Sequence, residues 1–189
     1  MFILRLLILF FAWTNLLYAD DILAYEKESK EAIKELAINL KKSLKAVLKE
    51  SGPTAAVEYC NIAAIDITDR ISASKGIIIK RTSLKVRNEG NLATSWDKDI
   101  LNRFEKRKKL GESIKSIDYK EVYVDNNNKP FFRYMKAIPT GKVCLTCHGS
   151  TINPDLRTKI NELYPEDKAY DYKIGDIRGA FIVQIPLLN

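Results

Sequence analysis

The sequence contains a single histidine, three cysteines and two methionines among its 189 residues. One histidine excludes a site that needs several imidazoles, and it leaves no second histidine to act as an acid or base in catalysis. Three cysteines are an odd number, so disulfides cannot use all of them. Internal repeats, low-complexity stretches and a second long apolar segment are also absent. Few residues therefore remain that could carry metal or redox chemistry.

The composition is that of a folded domain. Hydrophobic residues make up 46% of the chain, which suffices for a core and argues against disorder. The length corresponds to one domain, with or without an appendage. The formal net charge of +7 is diffuse, and no basic arm alternates with aromatic residues, so nucleic acid is not an expected partner. The basic run at 106–109 is interpreted as a solvated helix face, with docking to an acidic protein as the alternative.

The N-terminal residues 1–19 have the pattern of a secretory signal peptide. Arg5 precedes an apolar run, and the small residue Ala19 offers a cleavage point. The alternative is an uncleaved membrane anchor, because Leu17 is larger than a cleavage site prefers, although the run is short for a bilayer span. We expect a periplasmic protein with no permanent membrane span after cleavage near Ala19.

The most specific motif is Cys144-Leu145-Thr146-Cys147-His148, the C-x-x-C-H attachment signature of c-type haem. Two thiols at this spacing reach the two vinyl groups of one porphyrin, and the adjacent imidazole becomes an axial ligand of the iron. Export supports this prediction, since haem is attached to such motifs outside the bacterial cytoplasm. The motif therefore predicts one covalent haem c, with His148 on the iron.

Alternating helix and strand patterns predict an α+β fold with an antiparallel sheet and a long N-terminal helix. An amphipathic helix occupies residues 20–52 and ends at Gly52-Pro53, and residues 53–189 form the motif-bearing domain. The N-terminal helix packs on its own domain or pairs two copies as a homodimer. Further predicted elements are a second helix to about Arg70, a strand at 77–79, a helix from Thr94 or Ser95 to Gly111, a hairpin at 119–124 and 130–138, a helix at 153–163 and a last strand at 178–187.

The second axial position has several candidates. The motif uses two of the three cysteines, so Cys60 is left without a cysteine partner. In an oxidising compartment, a free thiol must be buried or bound to a metal to avoid oxidation. A buried structural cysteine explains it as well, and Met135, a lysine or water remain alternatives. A thiolate ligand would stabilise ferric iron and lower the reduction potential, which suits electron transfer and also redox or gas sensing.

The same cysteines also allow two interpretations that do not involve haem. Cys60, Cys144, Cys147 and His148 form a Cys3His set acceptable to structural zinc, although zinc sites usually separate the histidine from the neighbouring cysteine. Cys144 and Cys147 also resemble a C-x-x-C redox disulfide, but a strand leading into a helix does not precede them.

Six segments follow one another between Thr54 and Leu187: residues 60–64, 81–88, 132–136, 144–149, 164–169 and 175–181. Taken in this order, they resemble the exported single-haem cytochrome domain of PAS-like fold with His/Cys iron ligation. The resemblance implies a PAS-like sheet over the haem, with His148 and Cys60 as the axial pair. The sequence departs from the family pattern at Glu89, where relatives often have proline.

Basic and aromatic residues are further candidates for cofactor contacts. Arg81, Lys85 and Arg87 could contact the propionates through charge and bidentate geometry, or they could form a solvated strand end. Tyr134 packs either against the porphyrin or in the sheet as an ordinary aromatic.

The sequence as a whole predicts a periplasmic c-type haem protein that acts in electron transfer or in redox or gas sensing, and not as an enzyme. Its expected partners are a redox protein and, for a sensor, a diatomic gas. The sequence contains no kinase, cyclase or chemoreceptor segment, which favours a carrier over a sensor. The alternatives are a structural Cys3His zinc domain and a peroxidase-like haem enzyme.

Overall fold

The computed structural model describes residues 2–187, and their side chains from residue 21 onward. The predicted signal peptide and its cleavage site lie outside the residues whose side chains are described. Within residues 2–187, four helices and four strands follow one another, with short 3-10 turns at Glu89–Asn91 and Lys142–Cys144. The elements are α1 (Phe2–Lys75), β1 (Ile78–Thr82), α2 (Ser95–Lys109), β2 (Asp118–Val124), β3 (Pro130–Pro139), α3 (Leu145–His148), α4 (Pro154–Leu163) and β4 (Ile177–Pro186).

Helix α1 folds back on itself at Gly52. This residue has a φ of +82°, which glycine adopts without a steric penalty, and Pro53 suits the start of a new helix. In one straight helix, Glu35 and Lys75 would be about 60 Å apart, yet their side chains form a salt bridge of 3.0 Å. The first arm (up to Gly52) and the second arm (Pro53–Lys75) therefore run antiparallel.

The four strands form one antiparallel sheet in the order β1-β4-β3-β2. The arms of α1 cover one face, where Leu36 and Ile71 pack against Phe132. Helix α2 covers the other face through Phe104, which packs with Met135. The predicted α+β class with an antiparallel sheet and a long N-terminal helix is confirmed. Burial among these apolar side chains makes Met135 a core residue.

Strand β1 extends further than the sequence predicted. The sequence pattern predicts a strand at 77–79, whereas β1 continues to Thr82 and includes Arg81, which lies opposite Phe181. Among the described residues, no helix has the length and apolar character needed to cross a bilayer.

The start of α2 is fixed by a reciprocal cap. Thr94 Oγ1 accepts a hydrogen bond from Asp97 N at 3.2 Å, and Asp97 Oδ2 accepts one from Thr94 N at 3.0 Å.

Replacing the capping hydroxyl leaves a helix donor unpaired, so we expect Thr94→Ala to lower the free energy of unfolding by about 1 kcal/mol. Urea denaturation of the wild-type protein and the variant measures this difference in the free energy of unfolding. Thr158→Ala is the control, because Thr158 is exposed inside α4. Equal losses in both variants would contradict the role of the cap.

Candidate cofactor site around His148

The C-x-x-C-H motif forms a compact helical turn. A 3-10 turn at Lys142–Cys144 continues directly into α3, so the two thiols are separated by about one turn and His148 ends the helix. Gly149 closes it by donating to Leu145 O at 3.0 Å. A side chain at Gly149 would place its Cβ 2.7 Å from that same oxygen. The chain therefore needs glycine directly after the histidine.

His148 is held in one tautomer. Its Nδ1 lies 2.6 Å from the carbonyl oxygen of Ala169, and since a carbonyl can only accept, Nδ1 carries the proton and Nε2 keeps a free lone pair. Burial, followed by the nearby charges of Arg178 and Arg87, lowers the pKa of His148 well below its ordinary value. The ring meets Tyr172 edge-on, with centroids 6.3 Å apart. A neutral imidazole with a free Nε2 is the form that binds a metal.

Arg87 joins the motif to the loop that follows α4. Its Nε and Nη2 donate to the two carboxylate oxygens of Asp167 at 3.2 and 3.1 Å. Nη2 also donates to the carbonyl oxygens of Cys147 at 2.6 Å and Ala169 at 3.3 Å. The Asp167 side chain is only 2% exposed. This buried ion pair therefore touches the motif and the acceptor of His148 at the same time.

The same loop is tied to the motif through its backbone. Tyr172 N donates to His148 O at 3.0 Å, and Asp171 N donates to Gly149 O at 3.2 Å. Sequence reasoning missed Asp167, Ala169 and Tyr172. Asp167 and Ala169 lie in segment 164–169, which carries part of the family resemblance, but the sequence did not show that Asp167 pairs with Arg87, 80 positions away in the chain.

Two partly buried arginines, Arg81 and Arg178, lie beside the motif. Arg178 donates to Ser83 Oγ at 3.2 Å and to Lys85 O at 3.3 Å. Arg81 Nε is buried and, among the described residues, has no hydrogen-bond partner. Burial and then the charge of Arg178 lower the pKa of Arg81. An unpaired buried cation is costly, so this position suits an anionic group.

Cys60 lies on the second arm of α1 and faces the same region. Burial raises the pKa of its thiol, while the charges of Arg81 and Arg87 act in the opposite direction. Burial also raises the pKa of Cys147, and Cys60 adds to that increase. Val57, one turn before Cys60, belongs to the apolar cluster that Cys147 packs against. The fold therefore brings Cys60, Cys147, Arg81 and Arg87 together.

Two of the sequence candidates have other partners. Lys85 Nζ donates to Tyr170 O and lies 4.8 Å from the centre of the Tyr172 ring, so it packs on the loop that holds the motif. Tyr134 is fully buried between the sheet and α1. Its hydroxyl donates to Asp118 Oδ2 at 2.8 Å, and the structure does not bring it to His148 through any described contact.

The cysteines and the histidine do not form a shared metal shell. In the part of the chain that the structure describes, no group of three or more His, Cys, Asp or Glu side chains is placed to hold one metal ion. Cys60, Cys144 and Cys147 form no disulfide with one another. The Cys3His zinc shell considered from the sequence is therefore not assembled in this fold, whereas His148, Cys60 and the buried arginines fit an anionic cofactor that contains a metal.

Comparison with known proteins gives one family and one solved structure. The family model described as "Tll0287-like: Tll0287" matches residues 19–186. The crystal structure of the cyanobacterial heme-protein Tll0287 has a TM-score of 0.64 and 25% sequence identity, over 85% of this chain and 94% of that chain. No curated protein matches the chain. The family match extends over α1, the sheet and the C-x-x-C-H motif.

Proposed function

The chain belongs to the Tll0287-like family, and on that premise we propose that it is an exported c-type haem protein of PAS-like fold that transfers electrons or senses redox state or a gas. The solved relative is a haem protein by its title. The observation that carries the proposal is the C-x-x-C-H turn with a partly buried His148, whose Nδ1 is held by Ala169 O at 2.6 Å. This hydrogen bond leaves Nε2 free for iron.

Four side chains would hold one haem. Cys144 and Cys147 would form the thioethers, His148 would bind the iron, and Cys60 would bind it from the other side. A bound haem supplies one-electron chemistry at its iron. The thiolate of Cys60 would favour the ferric state, because an anionic sulfur donor stabilises the higher charge.

Arg81 is the strongest candidate for a propionate contact. Among the described residues its buried Nε has no partner, while Arg87 is already paired with Asp167. A carboxylate would neutralise the charge of Arg81 and accept its unpaired hydrogen. Arg87 and Lys85 then support the loop around His148, and a direct propionate contact from either residue remains a prediction.

Electron transfer is the leading role. Cys60 and His148 would both bind the iron and so leave it no position for a substrate, and the sequence has no second histidine for acid or base catalysis. We therefore propose a periplasmic electron carrier, or a sensor if a gas displaces Cys60, and not an enzyme. Its partners are a redox protein and, for a sensor, a diatomic gas, and a homodimer through the first arm of α1 remains part of the proposal.

The test is to express the full chain in a bacterium that matures c-type cytochromes and to extract the periplasmic protein with acid acetone. We expect the Soret band to stay with the polypeptide, and mass spectrometry to show one added haem. Cys144→Ala combined with Cys147→Ala should remove essentially all covalent haem. Thr146→Ala is the control, because Thr146 is exposed between the two thiols. Colourless wild-type protein from cells that mature another c-type cytochrome would reject the proposal.

A further inference from the structure

We propose that Arg87 and Asp167 are positioning residues that set how strongly His148 donates to iron, an inference that rests on the proposed haem function. Two side chains donate to the same oxygen of Ala169. His148 Nδ1 is 2.6 Å from it, and Arg87 Nη2 is 3.3 Å from it. A carbonyl has two lone pairs and can accept both bonds.

Sharing this acceptor affects the electronic state of the imidazole. A strong hydrogen bond from Nδ1 makes the ring more like imidazolate, and therefore a stronger donor through Nε2. The guanidinium draws electron density from the Ala169 oxygen and so weakens its attraction for the Nδ1 proton. Arg87 thus limits the donor strength of His148, and by doing so it favours ferrous iron.

The ion pair also fixes the position of the acceptor. Asp167 Oδ1 accepts a hydrogen bond from Ala169 N at 2.9 Å, while Arg87 donates to the carbonyl oxygen of the same residue. A further bond from Arg87 to Cys147 O, at 2.6 Å, reaches the peptide group that precedes His148. The pair therefore holds the ligand's own backbone and its hydrogen-bond acceptor in one rigid unit.

The neighbouring cations do not share this position. Arg178 donates to Ser83 Oγ and Lys85 O, and Lys85 donates to Tyr170 O. Arg157 lies 3.6 Å from Asp167 Oδ2, but its described contacts include neither the Cys147 nor the Ala169 carbonyl. Arg157 consequently provides a matched control with the same charge and the same carboxylate partner.

The test uses the holoprotein with Arg87→Lys, which keeps the charge but loses the fork that reaches Asp167 and both carbonyls. We expect the ferric state to gain about tenfold over the ferrous state, a shift of about 59 mV for one electron, together with changed ferric EPR g-values. The double variant Arg87→Gln/Asp167→Asn has no net charge change and should shift the potential in the same direction. Arg157→Gln should leave both readouts unchanged.

The outcomes separate this inference from the function on which it rests. If Arg87→Lys and the double variant keep covalent haem with the wild-type potential and EPR spectrum, the inference is wrong. An equal shift in Arg157→Gln would also reject it, because a residue that contacts Asp167 but neither the Cys147 nor the Ala169 carbonyl would then have the same effect. Wild-type protein without covalent haem would instead reject the proposed function, and this result is obtained before any variant is compared.

Discussion

Replacement of Cys60 by alanine is expected to open the sixth position of the iron in the holoprotein. The wild-type ferric spectrum should be low-spin with thiolate features, and Cys60→Ala should become high-spin. The reduction potential should rise by on the order of 0.1 V, within the range of about 0.8 V that axial ligands span in haem proteins. The reason is that an anionic sulfur donor, which stabilises ferric iron, has been lost.

Carbon monoxide distinguishes the carrier from the sensor in the same experiment. Reduced Cys60→Ala should bind carbon monoxide, because no side chain then competes for the iron. Reduced wild-type protein that does not bind it supports a carrier, and tight binding supports a gas sensor. Ile62→Ala is the control, since Ile62 lies on the same arm of α1 and is 67% exposed. A variant spectrum identical to that of the wild type would exclude Cys60 as the ligand.

Gly179→Ala is expected to cause the largest loss of stability among single substitutions outside the motif. A Cβ at this position would be 2.2 Å from Thr82 O, a backbone atom of the neighbouring strand that cannot move aside alone. Strands β1 and β4 would have to separate where Thr82 pairs with Ala180. We expect the free energy of unfolding to fall by about 3 kcal/mol, the upper end of ordinary substitutions.

The effect should extend to the cofactor site, because the same strand pair carries Arg81 and Arg178. Ser83 Oγ donates to Arg178 O at 2.8 Å, directly beside Gly179. Chemical denaturation of Gly179→Ala measures stability, and the haem content of the purified protein measures the site. Gly141→Ala is the control, because a Cβ there meets nothing within 4 Å, and it should change stability by less than about 0.5 kcal/mol. A similar loss in both variants would contradict the close-approach argument.

The local elements follow closely from the sequence. The hairpin was predicted at 119–124 and 130–138, and β2 and β3 occupy Asp118–Val124 and Pro130–Pro139. Alternation along a strand and helical spacing of apolar residues are short-range patterns, so neighbouring residues carry the information. The local sequence around Arg81 does not show that this residue lies in a strand. Its place in β1 depends on pairing with Phe181 of β4, about a hundred positions later in the chain.

The sequence by itself determined the C-x-x-C-H motif, the break at Gly52, the α+β class and the resemblance to a haem-protein family. The motif and the break depend on residue types at short, fixed spacings, whereas the fold class and the resemblance depend on the order of such short segments along the chain. Only the tertiary structure decided which acid pairs with Arg87, which carbonyl holds His148 and that Arg81 Nε, beside the motif, has no hydrogen-bond partner among the described residues. Those contacts join residues up to 80 positions apart, and desolvation, which makes them energetically important, arises only when packing removes water from them.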